Sequence, residues 1–165
     1  MEIRRLTPAD APTYREVRLR ALRDHPEAFT SSFEEEALKP PAYSAERLGD
    51  ASPAIYWGAF ANGELVGTVG LDRETRFKNR HKASVIGMYV APEVARQGVG
   101  RALLAALLAQ ARALQLELLV LTVTEGNQGA QQLYLQAGFK SFGREPRAIK
   151  VNHQYFDKNH MALAL

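Results

Sequence analysis

The chain of 165 residues contains no cysteine. That single absence removes disulfides, thiolate metal sites and a thiol nucleophile together. No apolar window approaches the ~20 residues of a membrane span, and Met1–Arg5 lacks the apolar core of a secretion signal. The expected location is cytoplasmic, with no membrane partner. Internal repeats, low-complexity runs and linkers are also missing, so one domain over residues 1–165 is expected. Charge of one sign is scarce: 21 basic against 18 acidic residues leave +3. That is too little to argue for nucleic acid by itself, though it suits an anionic cofactor.

What is present reads as alternating sheet and helix. Ile3–Leu6 suits a short edge strand, and Thr7-Pro8-Ala9-Asp10 a helix start, with Tyr14, Val17, Leu19 and Leu22 on the following turns. His25–Pro41 reads as a second helix or an irregular loop, and Ser44–Gly49 as a further short helix. Ile55–Phe60 and Leu65–Leu71 flank Asn62-Gly63, a strong hairpin signal. A basic connection, Arg73–Lys82, leads to a strand at Val85–Val90. A helix from Gly98 to about Leu114 follows, then the apolar run Leu116–Thr124, which predicts a central strand buried on both faces. A helix over Asn127–Gln136 ends at Gly138, and Phe139–Phe142 and Tyr155–Ala164 close the order. Hairpins before a crossover unit predict an α/β (α+β mixed) fold: a central twisted mixed β-sheet with flanking helices.

The most informative stretch runs from Val85 to Leu104. An apolar strand ends at Pro92, a basic glycine-containing turn follows, and an amphipathic helix opens. Glycines let backbone curl and approach a ligand, and the first amides of a helix lack partners within it, where the dipole favours an anion. Arg96 and Arg101 add charge on either side. A P-loop is excluded because no Gly-Lys-Ser/Thr follows the turn. The dinucleotide fingerprint fits poorly, since Leu103 occupies its third small-residue slot. An ordinary strand–turn–helix connection remains the plain alternative.

The wider context resembles the GNAT-type N-acetyltransferases. Tyr89-Val90-Ala91-Pro92-Glu93, then Ala95-Arg96-Gln97-Gly98-Val99-Gly100, then Leu103-Leu104 and Leu107-Leu108 follow that family's cradle. Asn127, Ala130, Leu133, Tyr134 and Ala137-Gly138-Phe139 match its second signature, and Leu22–Phe29 is similar to some members. Ala95 departs from the arginine or glutamine usual at the first cradle position, which removes one side-chain anchor and leaves more of the holding to backbone amides.

The resemblance implies the acyl-CoA N-acyltransferase (GNAT) fold and acetyl-CoA as cosubstrate, with no metal. Coenzyme A would lie between splayed Val85–Val90 and Leu116–Thr124 strands, its pantetheine arm pairing with free backbone. Met88, Tyr89, Val90, the cradle from Ala95 through Arg96, Gln97, Gly98, Val99, Gly100 and Arg101 to Ala102, and Asn127, Ala130 and Tyr134 would form its site. The Met88 and Val90 amides would polarise the acetyl carbonyl, their side chains belonging to the core. Gly87 would ease a bulge beside the ligand or make packing space. Tyr134 is the leading catalytic residue, protonating or hydrogen-bonding the leaving thiolate. Asn127 suits a helix N-cap as well as a pantetheine contact. The general base is open: Glu125, just past the apolar strand, is the first candidate, with Glu34, Glu35, Glu36 and His81 behind it. The acceptor would be a primary amine, on a small molecule or a protein, in a pocket shaped by Phe29–Pro41 and Arg73–Lys82. Transfer would be direct, in a ternary complex; a non-catalytic acetyl-CoA-binding or interaction module is the rival. A homodimer through Tyr155–Leu165 is a further expectation, although the same residues can simply finish the sheet.

Overall fold

Seven strands form one sheet in the order β1-β2-β3-β4-β5-β7-β6. A computed structural model describes all 165 residues. The strands are β1 (Glu2–Arg5), β2 (Ala54–Ala61), β3 (Glu64–Arg73), β4 (Lys82–Val90), β5 (Leu118–Thr124), β6 (Lys140–Val151) and β7 (Gln154–Ala164). The helices are α1 (Ala11–Asp24), α2 (Phe33–Ala37), α3 (Pro41–Arg47), α4 (Val99–Ala113) and α5 (Gln128–Gln136). Every neighbouring pair is antiparallel except β4 and β5, because only α4 crosses over between them. The mixed sheet with flanking helices is therefore the observed fold. No helix is long and apolar enough to cross a membrane.

Strand alternation divides the helices between two faces. On β2, Ile55, Trp57 and Ala59 join a core with Leu103, Leu104 and Leu107 of α4. Their neighbours Ala54 and Tyr56 pack with Ala11 and Tyr14 of α1 and Leu48 beyond α3. Each fully buried leucine of α4 is worth about 2 kcal/mol, so this amphipathic helix is fastened along its length. The Asn62-Gly63 signal is realised as a turn with both residues left-handed, at φ 52° and 82°, the backbone that a two-residue hairpin needs.

Three expectations change. The β5 run is fully buried on one face, where Leu119, Leu121 and Val123 join the α4 core, while on the other Thr122 is exposed and only Thr124 is buried. That face borders a cleft. The short closing strand Phe139–Phe142 is the start of a twelve-residue β6. Its polar sequence suits an exposed edge, which hid it from a search for apolar alternation. Finally, β7 does not close the sheet: it is interior, paired to β5 and β6, and the edge is β6.

Candidate active site

The cleft begins where a ladder stops. β4 pairs with β5 only at Lys82↔Leu118, Ala83↔Leu119 and Ser84↔Val120. Beyond Ser84 the two strands part. A bulge on β4 accompanies the divergence: Ile86 faces Gly70 and Tyr89 faces Thr68, leaving Gly87 and Met88 opposite Val69 alone. Gly87 takes φ +59° there, a conformation that favours glycine, and Thr68 Oγ1 donates to its carbonyl at 3.0 Å. The extra residue switches the strand's parity. Ala83 and Val85 face the α4 core before the bulge, and Met88 and Val90 pack against it afterwards. The expected splay and the expected bulge are both present.

At the outer end of the cleft the chain turns into α4. Arg96 and Gly98 are left-handed, at φ 62° and 78°. Gly98 is the N-cap of α4, and the first helical bond runs from the Ala102 amide to the Gly98 carbonyl at 3.0 Å. The amides of Val99, Gly100 and Arg101 therefore have no carbonyl within the helix. A Cβ on Gly98 would meet nothing within 4 Å, whereas one on Gly100 would come 3.3 Å from Leu133. Gly98 thus serves backbone conformation beside open space, and Gly100 serves close packing of α4 on α5. A cavity of about 960 Å³ extends from this turn past Met88, Tyr89 and Val90 to α5. Ala95, Arg96 and Gly98–Arg101 line it with Asn127 and Ala130; Gln97 and Ala102 do not. Free amides, two guanidiniums and room beside Gly98 fit a ligand bearing phosphates.

The inner wall is α5. The Asn127 side chain accepts from the Ala130 amide at 3.2 Å, capping the helix as expected. At the other end Phe139 N–H donates to the Tyr134 carbonyl and Gly138 N–H to the Leu135 carbonyl, each at 3.0 Å. With Gly138 at φ +101° this is a Schellman stop. It fixes the Tyr134 backbone and brings the Phe139 ring edge-on to the Tyr134 ring, 5.8 Å between centroids. Tyr134 is buried yet lines the cleft. Burial alone raises its phenol pKa above the ordinary value, which suits a hydrogen-bond donor better than a ready proton source.

A second cavity, about 360 Å³, occupies the splay itself. Its wall joins both helix layers: Arg18 of α1 and Arg47 of α3 on one side, Ala130 and Tyr134 of α5 on the other. Asp72 of β3 and Lys158 of β7 complete its ionic groups. Burial pushes the Asp72 carboxyl above its usual range, with Arg47 offsetting part of the effect. Burial lowers the Lys158 pKa, opposed by Glu145, and Lys158 Nζ donates to Thr30 Oγ1. Arg47 is committed elsewhere, bonding Tyr56 Oη and pairing with Glu36 at 3.6 Å.

Residues 18–139 match the model of the acetyltransferase (GNAT) family. The chain belongs to that family. It is 33% identical over 114 residues to an aminoglycoside N(6′)-acetyltransferase type 1 of Stenotrophomonas maltophilia, covering 67% of each protein. Among solved structures it is similar to a ribosomal-protein-alanine N-acetyltransferase of Brucella melitensis, with a TM-score of 0.82 at 22% identity over the whole of both chains. A Salmonella typhimurium protein described as an acetyltransferase, solved with acetyl-CoA, gives the same TM-score and identity over 100% of this chain and 94% of that one.

In this GNAT chain the residues of the strand, turn and α5 expectations, Gln97 and Ala102 excepted, line one continuous cleft, and the expected bases do not. Glu125 lines neither cavity; its amide is tied to the Asp157 carbonyl at 2.9 Å. Glu36 is buried in contact with Lys39 and Arg47. Glu34 and Glu35 lie outside the splay cavity, and His81 sits at the closed end of the splay, its carbonyl accepting from Glu117 at 2.7 Å. The Arg73–Lys82 connection contributes nothing to that cavity, whereas Phe29, Thr30 and Ser31 do. Sequence reading missed Arg18, Arg47, Asp72 and Lys158. The available signal was a charge at the end of an apolar strand, Leu71-Asp72, and a buried lysine on β7 on the face opposite core residue Met161, opposite Thr124 of β5.

Proposed function

We propose that this chain is an N-acetyltransferase that moves an acetyl group from acetyl-CoA to a primary amine by direct transfer in a ternary complex. The observation that carries the reading is the interrupted β4–β5 ladder with a free-amide turn at its mouth. Acetyl-CoA would supply an activated thioester. The amides of Val99–Arg101, with Arg96 and Arg101, hold its pyrophosphate; the unpaired edge of β4 holds the pantetheine arm as a neighbouring strand would. A backbone amide at Met88 or Val90 stabilises the carbonyl oxygen as it gains charge.

The proton accounting falls to side chains. As the amine nitrogen bonds to the carbonyl carbon and the C–S bond breaks, one proton leaves the nitrogen and the thiolate ends as a thiol. Asp72, the carboxylate that lines the splay cavity, takes the first proton in place of Glu125; its raised pKa suits a base working nearer neutrality. Tyr134 hydrogen-bonds the departing sulfur. The sulfur takes its proton from solvent while Asp72 gives the amine proton back to solvent, so that one proton is lost and one gained per turnover. No cysteine competes as an acyl carrier.

Titration with acetyl-CoA, followed by a thiol-release assay on an amine panel, tests the reading. The panel includes an aminoglycoside, the acceptor class in the name of the Stenotrophomonas relative. Saturable binding with amine-dependent thiol release is the expected result. Tight binding without turnover of any amine would favour the non-catalytic module instead.

A further inference from the structure

The splay cavity leaves three ionic groups without a counter-ion from the protein. Arg18 Nε is buried with no hydrogen-bond partner, and its guanidinium lies 5.0 Å above the centre of the Phe29 ring. Lys158, only 8% exposed, has the neutral Thr30 hydroxyl as its partner. Asp72 faces the same space and takes part in no ion pair or side-chain hydrogen bond. Arg47 is set apart from these by its pairing with Glu36. A buried charge without a partner is costly, so an arrangement of two cations and one carboxylate around a cavity is complementary to a ligand of inverse charge.

We propose that the acceptor is a small amine that also carries an acid group, with its nitrogen at Asp72 and its acid at Arg18 and Lys158. The inference rests on the transferase reading above and narrows it. Stacking on Phe29 occupies a face of the Arg18 guanidinium and leaves its in-plane donors for a bidentate acid. Lys158 adds a point charge lining the same cavity, held by Thr30 next to Phe29. The cavity volume of about 360 Å³ suits a small metabolite. An aminoglycoside, a polycation, would bring several ammonium groups against Arg18 and Lys158 and only one to Asp72. Like charges in a partly buried space repel strongly.

The test pairs α-, β- and γ-amino acids with their methyl esters and carboxamides, beside one aminoglycoside. Thiol release is read with acetyl-CoA, and binding by calorimetry on the CoA-loaded protein. For at least one skeleton the free acid should exceed its ester by about tenfold or more in kcat/KM and in affinity. Arg18→Met should collapse that ratio to near unity, and Arg18→Lys should restore part of it. Lys158→Met gives the same readout if Arg18→Met does not fold by circular dichroism. Esters or the aminoglycoside matching or beating every acid, in turnover or in binding to the CoA-loaded protein, would overturn the proposal. So would an acid-to-ester ratio unmoved by either variant. Neutral amines turned over without acid preference would sink this inference and leave the transferase standing, whereas failure to bind acetyl-CoA would sink both.

Discussion

At the outer end of the cleft the ligand-facing groups are mainly backbone: the Val99–Arg101 amides, presented by left-handed Arg96 and Gly98. At the inner end the polar groups Arg18, Arg47, Asp72 and Lys158 are side chains, drawn from α1, α3, β3 and β7. The outer end occupies one short run of sequence. The inner end is assembled from positions about 140 residues apart, brought together only by the order of strands in the sheet. The geometry of a backbone cradle is insensitive to most side-chain changes. A side-chain cavity can be rewritten one residue at a time without disturbing the fold, so acceptor choice is expected to vary there.

If the inner end does the proton chemistry, the largest effect comes from Asp72→Asn. We expect kcat/KM to fall on the order of a hundredfold or more, with acetyl-CoA affinity unchanged. Wild-type activity should rise with pH through an acid limb lying above the ordinary carboxylate range, as the raised Asp72 pKa requires, and Asn should abolish that limb. Burial penalises the ionised Asp72, so the variant should melt no lower than wild type. Equal loss of cofactor affinity would merge the two ends that are here kept apart. Tyr134→Phe comes next. It should lower kcat on the order of tenfold at saturating substrates while the dissociation constant of acetyl-CoA holds. An unchanged kcat would remove Tyr134 from the chemistry and leave it as the ring that packs on Phe139.

The contrast between the ends also explains what could be read beforehand. The Asn62-Gly63 turn and the Gly138 stop are local signals, and each stands where the sequence predicts it. The cradle was legible because its requirements, positive φ and absent side chains, are written in consecutive letters. The edge strand β6 was half missed because an exposed strand has no apolar alternation to show. Glu125 follows the central strand in sequence, which makes it the first base to consider, yet its amide bonds to the Asp157 carbonyl and it lines neither cavity. Asp72 lies on a strand separated from β5 by β4. Its approach to the splay depends on the loss of β4–β5 pairing beyond Ser84 and Val120, a non-local event without a motif.

An effect of similar size, in binding instead of turnover, is expected from Gly98→Val, which strikes the outer end alone. A β-branched residue at φ +78° costs about 1–2 kcal/mol in that conformation, and its side chain would project into space open beside the amides. Acetyl-CoA affinity should fall about tenfold, while the ratio of acid to ester acceptors, a property of the inner end, stays the same. A changed ratio would show that the cradle sets acceptor choice as well as donor binding.

The smallest effect probes how α1 is held. Asp10 receives two bonds from the Arg4 guanidinium, at 2.8 and 2.9 Å, and one from the Thr7 amide at 2.8 Å. The bonds from Arg4, assisted by Thr7 and opposed by burial, lower its carboxyl pKa to about 2. Because the folded value lies below the unfolded one, this stabilisation is complete above the ordinary carboxylate range. It is lost as pH falls through about 4 toward about 2. Asp10→Ala should therefore cost about 1 kcal/mol near neutrality, or about 2–4 °C in Tm for a chain of this size. The gap from wild type should close in acid. Since α1 carries Arg18, the acceptor KM should rise slightly while acetyl-CoA affinity does not move. A matching loss at the cofactor end would mean that α1 braces the whole cleft, and the division between a backbone end and a side-chain end would have to be redrawn around that helix.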